Sequence, residues 1–498
     1  MRCGKTLTDC PAVSSRSVEL AYVHARPGMT WRFGRYVLRA PRLAGVWLHC
    51  SGSRRQTQRQ ACVMINAVFP PHRQSGPTVL KPTRRLPGSL IWIVFAGGLA
   101  LSPFADYLSV RAAHGIATAG SDARFSLMVR GSMVSGLLLI LLASGRMKLS
   151  SWRTALLALL AIVASAGTCA FGDMSSAEFI QQTVFILKSF SFFVCLAAIS
   201  GMSDRLLDKL EPVMRLTLLA YALAIVAGAV FSIGMFRSYW AETQIRSGYK
   251  GIVYAQNEAS ALMIVGLGYS LLRVLKSGWS AWNGALVGSI VLASCLVGTK
   301  AAMAGAVAMT CSYFYCRHKV PQATVRALTL VAALAGVAVI VYLSLPGVRN
   351  AVDLSLQYFM YQHDHVGDGG LLTTVLSGRD VKFSNVWDEV AKQSYVPLLT
   401  GGYPVVRYLV EIDVPDLMLA MGLPVGICYL WGVAKAFLHH GSGAVPSFGK
   451  WFYVVLMATA CTAGHVLVSA IVSPYLAMIA VLVERATASP PFNEKAER

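Results

Sequence analysis

From Leu86 to about Arg485 the chain is a succession of apolar runs, each close to the thickness of a bilayer in length. About 20 residues of helix cross the hydrocarbon core. Helix is the default there because hydrocarbon offers no partner for a free backbone N–H or C=O. The runs predict spans over 87–105, 126–145, 153–172, 179–200, 213–235, 259–275, 281–299, 301–316, 326–345, 416–437, 452–468 and 470–485. The fold class that follows is all-α: a polytopic integral membrane protein of about twelve transmembrane helices, with one long loop after the ninth. Composition agrees, with 55% hydrophobic and 13% charged residues, where a soluble chain carries about 25% charged.

The chain therefore divides into a basic tail (1–85), nine spans (86–345), the long loop (346–415), three spans (416–485) and a short C-terminal tail (486–498). The first tail holds 15 Lys and Arg against Asp9 and Glu19, so 13 of the 21 net positive charges sit ahead of the first span. That distribution suits a cytoplasmic segment near anionic lipid and gives no reason to expect nucleic acid. The tail has no sustained periodicity and no signal-peptide core, so disorder is expected, with Met64 as an alternative start. Eleven cysteines form no C-x-x-C pair and fall in the tail or in and beside the apolar runs, which reads as small buried hydrophobes and not a disulfide framework.

Basic residues fix the orientation. Arg146, Lys148, Arg153, Arg205, Lys209, Arg215, Arg273, Lys276, Arg317, Lys319, Arg326, Lys435 and Lys450 fall in or beside alternate connections, whereas the connection at 173–178 carries Asp173 and Glu178 instead. By the positive-inside rule both termini are cytoplasmic and the long loop faces outward.

The polar content of the outward side is concentrated in two loops. One runs from Arg237 to Glu258 and includes Arg246, Lys250, Asn257 and Glu258. The other contains Arg379, Asp380, Arg407, Glu411, Asp413 and Asp416. Within it Phe383, Val386, Trp387 and Val390 recur at helical spacing, predicting an amphipathic helix that opens near Asp380. Guanidinium groups gathered at a bilayer surface suit a pyrophosphate, because the planar fork binds its oxygens bidentately. Asp413 and Asp416, with Pro415 between them, read as a helix N-terminus, one carboxylate capping and the other facing the dipole. Glu411 has no such explanation and is the preferred general base. His363 and His365 beside Asp364 and Asp368 could hold a metal but read as solvated loop residues. Lys188 lies midway along a span, where charge is expensive and faces the bundle interior. Lys300 is explained by snorkelling, and His465 reads as an interhelical hydrogen-bonding residue.

The stretch Arg246-Ser-Gly-Tyr-Lys-Gly-Ile-Val-Tyr-Ala-Gln-Asn257-Glu258, then Gly298-Thr-Lys300, Ser377-Gly-Arg379 and Glu411-Ile-Asp413-Val-Pro-Asp416 with Gly422 resembles, in order and layout, the O-antigen polymerase and O-antigen ligase superfamily. The resemblance covers about 210–485 in motif order. It implies a metal-independent, inverting membrane glycosyltransferase without a cofactor, acting at the periplasmic face of the bacterial inner membrane. It would join undecaprenyl-pyrophosphate-linked oligosaccharide repeat units into O-antigen or exopolysaccharide. The implied catalytic residues are Glu411 and Asp413, and the implied pyrophosphate and substrate contacts are Arg246, Lys250, Asn257, Lys300, Arg379 and Arg407. Expected partners are the lipid-linked glycans and membrane lipid, with a chain-length regulator and a flippase alongside. Ligase members usually place His-Asn at the helix after the long loop. Glu411 and Asp413 stand there instead, which favours a polymerase over a ligase. Protein O-glycosylation by the same chemistry and a flippase or transporter are the alternatives.

Overall fold

A computed structural model describes residues 88–114, 124–145, 149–238, 248–344 and 375–488, with isolated positions between 345 and 374. The basic tail, Arg246, the His363–His365 pair and most of the first part of the long loop, 346–374, lie outside the described residues.

The described chain is all-helical, with no strand. Nine helices lead to the long loop: α1 (Gly88–Ala113), α2 (Phe125–Ala143), α3 (Leu149–Ala170), α4 (Ser176–Ser200), α5 (Asp204–Val230), α6 (Gln256–Ser277), α7 (Ala281–Leu296), α8 (Lys300–Arg317) and α9 (Val320–Ser344). Six more are described within and after it: α10 (Arg379–Lys392), α11 (Val396–Thr400), α12 (Asp413–Met421), α13 (Leu423–Phe437), α14 (Ala444–Thr462) and α15 (Ser473–Ala488). Among the described residues seven helices, α1 to α6 and α14, are long and apolar enough to cross a membrane, and α7, α9 and α13 contain shorter apolar helices. The molecule thus has the character of a multi-pass helical membrane protein.

In such a bundle burial marks protein contact and exposed apolar surface marks the lipid side. By that criterion α6 is the central helix, with 89% of its apolar stretch buried, and α3 is peripheral, at 11%. Leu156, Leu159, Leu160 and Val163 stand outward on α3. Helix α6 packs on α7, α8, α14 and α15, while α4 packs on α3 and α15. Charges inside this core are paired, as their desolvation cost requires. Asp106 of α1, fully buried, accepts from Arg130 of α2 and, at 2.5 Å, from the Tyr221 hydroxyl of α5. Lys188 of α4 meets Glu258 of α6 at 3.2 Å.

The predicted amphipathic helix is α10. Its Val386 and Val390 are buried, while Phe383 and Trp387 line its more exposed flank. Two expectations change. The run 416–437 is not one helix: it breaks at Gly422 (φ +79°) into α12 and α13. The break is filled by the Gly401–Gly402 turn, which approaches so closely that a Cβ on Gly422 would lie 2.7 Å from the Gly401 nitrogen. Gly402 and Tyr403 then donate to the carbonyls of Ala420 and Leu419. A hydropathy profile is blind to this, because backbone-to-backbone packing needs only glycine.

The second change concerns the last pair of spans. Helix α14 stops at Thr462 and α15 starts at Ser473, leaving 463–472 non-helical. This segment runs into the bundle: the Leu467 carbonyl shares the Tyr429 hydroxyl with the Ser189 carbonyl, and Ser473 meets Ser191 at 2.8 Å. Ser189 is 13 residues into α4, about 20 Å along it. Irregular backbone at such depth persists only when enclosed by protein, and every residue from Val466 to Val472 is buried.

Candidate functional site

Two irregular segments meet where α14 ends and α12 begins. The first, 410–412, enters α12; the second, 463–467, leaves α14. Asp413 joins them. Its carboxylate does not cap its own helix, whose N-cap, Ile412, makes no side-chain bond. It accepts instead from the backbone N–H groups of His465, Val466 (2.7 Å) and Leu467 (2.7 Å) and is 1% exposed. Asp416 reaches back to the N–H groups of Val410 and Glu411, both at 3.1 Å. The expected side-chain cap is thus replaced by bracing of orphan donors outside α12, while both acids stay in its first turn, where they face the dipole. The reason is burial: in an enclosed turn an unmet N–H costs more than a missing cap.

The braced segments are strained. Glu411 (φ +68°) and His465 (φ +77°) both hold left-handed backbone, which costs about 1–3 kcal/mol at a non-glycine residue. Gly464 makes this possible, since a Cβ there would meet the Glu411 carbonyl oxygen at 2.8 Å. The consequence is a fixed origin for the Glu411 side chain.

That side chain meets two cations from the first turn of α10. Lys382 Nζ lies 2.6 Å from Glu411 Oε1 and Arg379 Nη2 lies 3.7 Å from Oε2. Arg379 also donates to the Thr462 carbonyl at 3.4 Å, while its Nε is buried with no hydrogen-bond partner among the described residues. Its side chain is 17% exposed against 50% for Lys382. A compact cluster of guanidinium, ammonium and carboxylate results, in which Lys382 and Glu411 are partly exposed.

The remaining residues singled out from the sequence are elsewhere. Arg407 is engaged in a bidentate pair with Glu178 at the start of α4, with both nitrogen–oxygen distances 2.6 Å, and donates to the Asp173 carbonyl. The Glu178 hydrogen bonds hold its guanidinium above the usual range. This pair ties the loop after α11 to α4. Lys250 donates to the Tyr254 carbonyl at 2.7 Å and lies over the Tyr254 ring, with Arg124 over the same ring. Burial pushes the Lys250 ammonium below its usual range. Asn257 is half-buried in the first turn of α6, and Lys300 is the exposed first residue of α8. The structure therefore brings Glu411 and Arg379 into contact and ties Asp413 to the same turn, and places Arg407 and Lys250 in contacts of their own.

Lys382 and Glu258 were not among the catalytic or binding residues read from the sequence. Lys382 stands three residues after Arg379, so the helical spacing already used for the apolar face of α10 also places it beside that guanidinium. Glu258 could be paired with Lys188 only by the fold, which packs α4 and α6 each on α15. His465 contributes its backbone N–H to Asp413, and its Nδ1 is buried with no partner among the described residues. Glu258 and Asp413 both lie within electrostatic range of its ring.

No family model, no curated protein and no solved structure matches this chain.

Proposed function

We propose that the chain is a polymerase of undecaprenyl-pyrophosphate-linked oligosaccharide repeat units, working at the periplasmic face of the bacterial inner membrane. The observation that carries this reading is the Arg379–Lys382–Glu411 cluster. It combines a fork and a point charge for a diphosphate with a carboxylate able to receive a proton, on a rigid turn beside membrane-crossing helices. In the topology that goes with it, α1 to α9 each cross once, α12 and α13 cross together, and α14 and α15 complete twelve crossings.

In the reaction, the acceptor sugar hydroxyl attacks the anomeric carbon of the donor. Its oxygen forms the new glycosidic bond as the bond to the pyrophosphate oxygen breaks, with inversion. Glu411 takes the hydroxyl proton. Arg379 and Lys382 stabilise the charge that grows on the departing pyrophosphate, an electrostatic contribution made where the charge develops. Asp413, saturated by three N–H groups, holds the turn and leaves proton transfer to Glu411. A ligase using the same donor would share this cluster.

A flippase or transporter is the second reading, and the Asp106–Arg130–Tyr221 and Lys188–Glu258 groups inside the spans favour it, since intramembrane charges often line transport paths. One experiment separates the two. Arg379→Lys keeps charge but loses the fork, and Glu411→Gln cannot accept a proton. Each is expected to abolish long polymer on a gel at normal protein level in the membrane. Full-length polymer from both variants would reject the enzymatic reading and leave the transporter.

A further inference from the structure

We propose that Glu411 is an internal anion occupying a diphosphate site whose second cation is Lys382, and that an arriving lipid-linked diphosphate displaces it. The inference rests on the glycosyltransferase reading for its biological role but not for its binding chemistry.

The geometry supplies each part. Both cations come from one turn of α10, three residues apart, so they are held as a unit. Glu411 spans them unequally: Lys382 makes a full contact at 2.6 Å, whereas Arg379 stands at 3.7 Å, beyond hydrogen-bond range. In this geometry the carboxylate satisfies the Lys382 ammonium and leaves the Arg379 guanidinium short of a hydrogen bond to it. Among the described residues Arg379 is otherwise bound only by a long bond to the Thr462 carbonyl, and its buried Nε is unmet. A diphosphate offers several oxygens across two phosphorus centres. It can take the Arg379 fork on one phosphate and the Lys382 ammonium on the other.

The same displacement prepares Glu411 for chemistry. Paired with Lys382, the carboxylate is occupied; once both cations turn to phosphate, it is released next to the bound donor. Its backbone cannot follow the cations away. The Glu411 N–H is fixed on Asp416 and its carbonyl is pressed against Gly464. Proton-accepting capacity thus appears only when the leaving group is in place. This limits idle reaction and accounts for a left-handed non-glycine residue at this position.

The test is binding of inorganic pyrophosphate to the full chain purified in detergent, by calorimetry at fixed ionic strength near 0.1 M. Removing the competing carboxylate in Glu411→Gln is expected to tighten binding about two- to fivefold, the range set by a partly exposed ion pair. Lys382→Met and Arg379→Lys are expected to weaken it. Glu389→Gln, which removes an equal charge from the same helix, is expected to change nothing. Unchanged or weaker binding in Glu411→Gln would overturn the proposal. So would equal tightening in Glu389→Gln, or the absence of pyrophosphate binding in all forms. If the binding pattern holds while polymer length is unaffected by Glu411→Gln, the displaced-anion site stands and only the polymerase reading fails.

Discussion

Asp413 is the most consequential single side chain for the architecture of the site, and its loss can be worked out from its contacts. Asp413→Ala leaves the N–H groups of His465, Val466 and Leu467 without their acceptor in an enclosed segment. Each buried unmet donor costs about 1–3 kcal/mol, so the sum is on the order of 3–9 kcal/mol before relaxation. Asp413→Asn is the sharper probe. Its amide oxygen can still serve two of the three donors, but its NH2 group faces the third donor to donor. The expected cost is about 1–3 kcal/mol plus the loss of charge assistance. Unfolding of purified protein by a denaturing detergent, followed by tryptophan fluorescence, reads both. The order wild type, then Asn, then Ala is expected, with the Ala variant retained poorly in membranes. An Ala variant within about 0.5 kcal/mol of wild type, the range of inert surface changes, would refute the claim that one carboxylate holds 463–467 in place.

Three further outcomes follow from contacts elsewhere in the bundle. Lys188→Met strands Glu258 inside the bundle, a loss of about 3–5 kcal/mol, and the double variant with Glu258→Gln should recover most of it in the same unfolding assay. Gly402→Ala forces a side chain onto left-handed backbone and drives its Cβ to 2.5 Å from Thr168 Oγ1, so the variant should fail to accumulate in membranes, as quantified by immunoblot. A cysteine placed at the exposed Ser394 should react with a membrane-impermeant thiol reagent in cells whose outer barrier has been opened. Labelling that requires rupture of the inner membrane would invert the topology.

How much of this was legible beforehand differs from element to element. Apolar length located each of α1 to α9, with ends off by as much as nine residues at the start of α5, because crossing hydrocarbon imposes a helix of a set length on whatever sequence occupies it. Helical spacing likewise located α10 and its buried Val386 and Val390, since a periodic face is a local property. Position alone marked Lys188 as facing the bundle interior, because a charge exposed to lipid there is too costly. What the sequence could not supply were the partners. Asp413 and Asp416 look like helix-start residues in a linear reading, and only the fold brings 463–467 within reach of one and returns 410–411 to the other. Arg407 and Arg379 are equivalent in the sequence as outer-loop guanidinium groups. Glu178, 229 residues away, claims the first, while the turn of Glu411 leaves the second partly unmet. The break at Gly422 and the buried irregular stretch 463–472 belong to the same class. Each depends on backbone groups meeting across the bundle, and backbone groups are the same in every residue. Hydrophobic length and periodicity are carried by side chains and can be read in order. The assembly of a polar site from segments far apart in the chain is decided by which helices pack together.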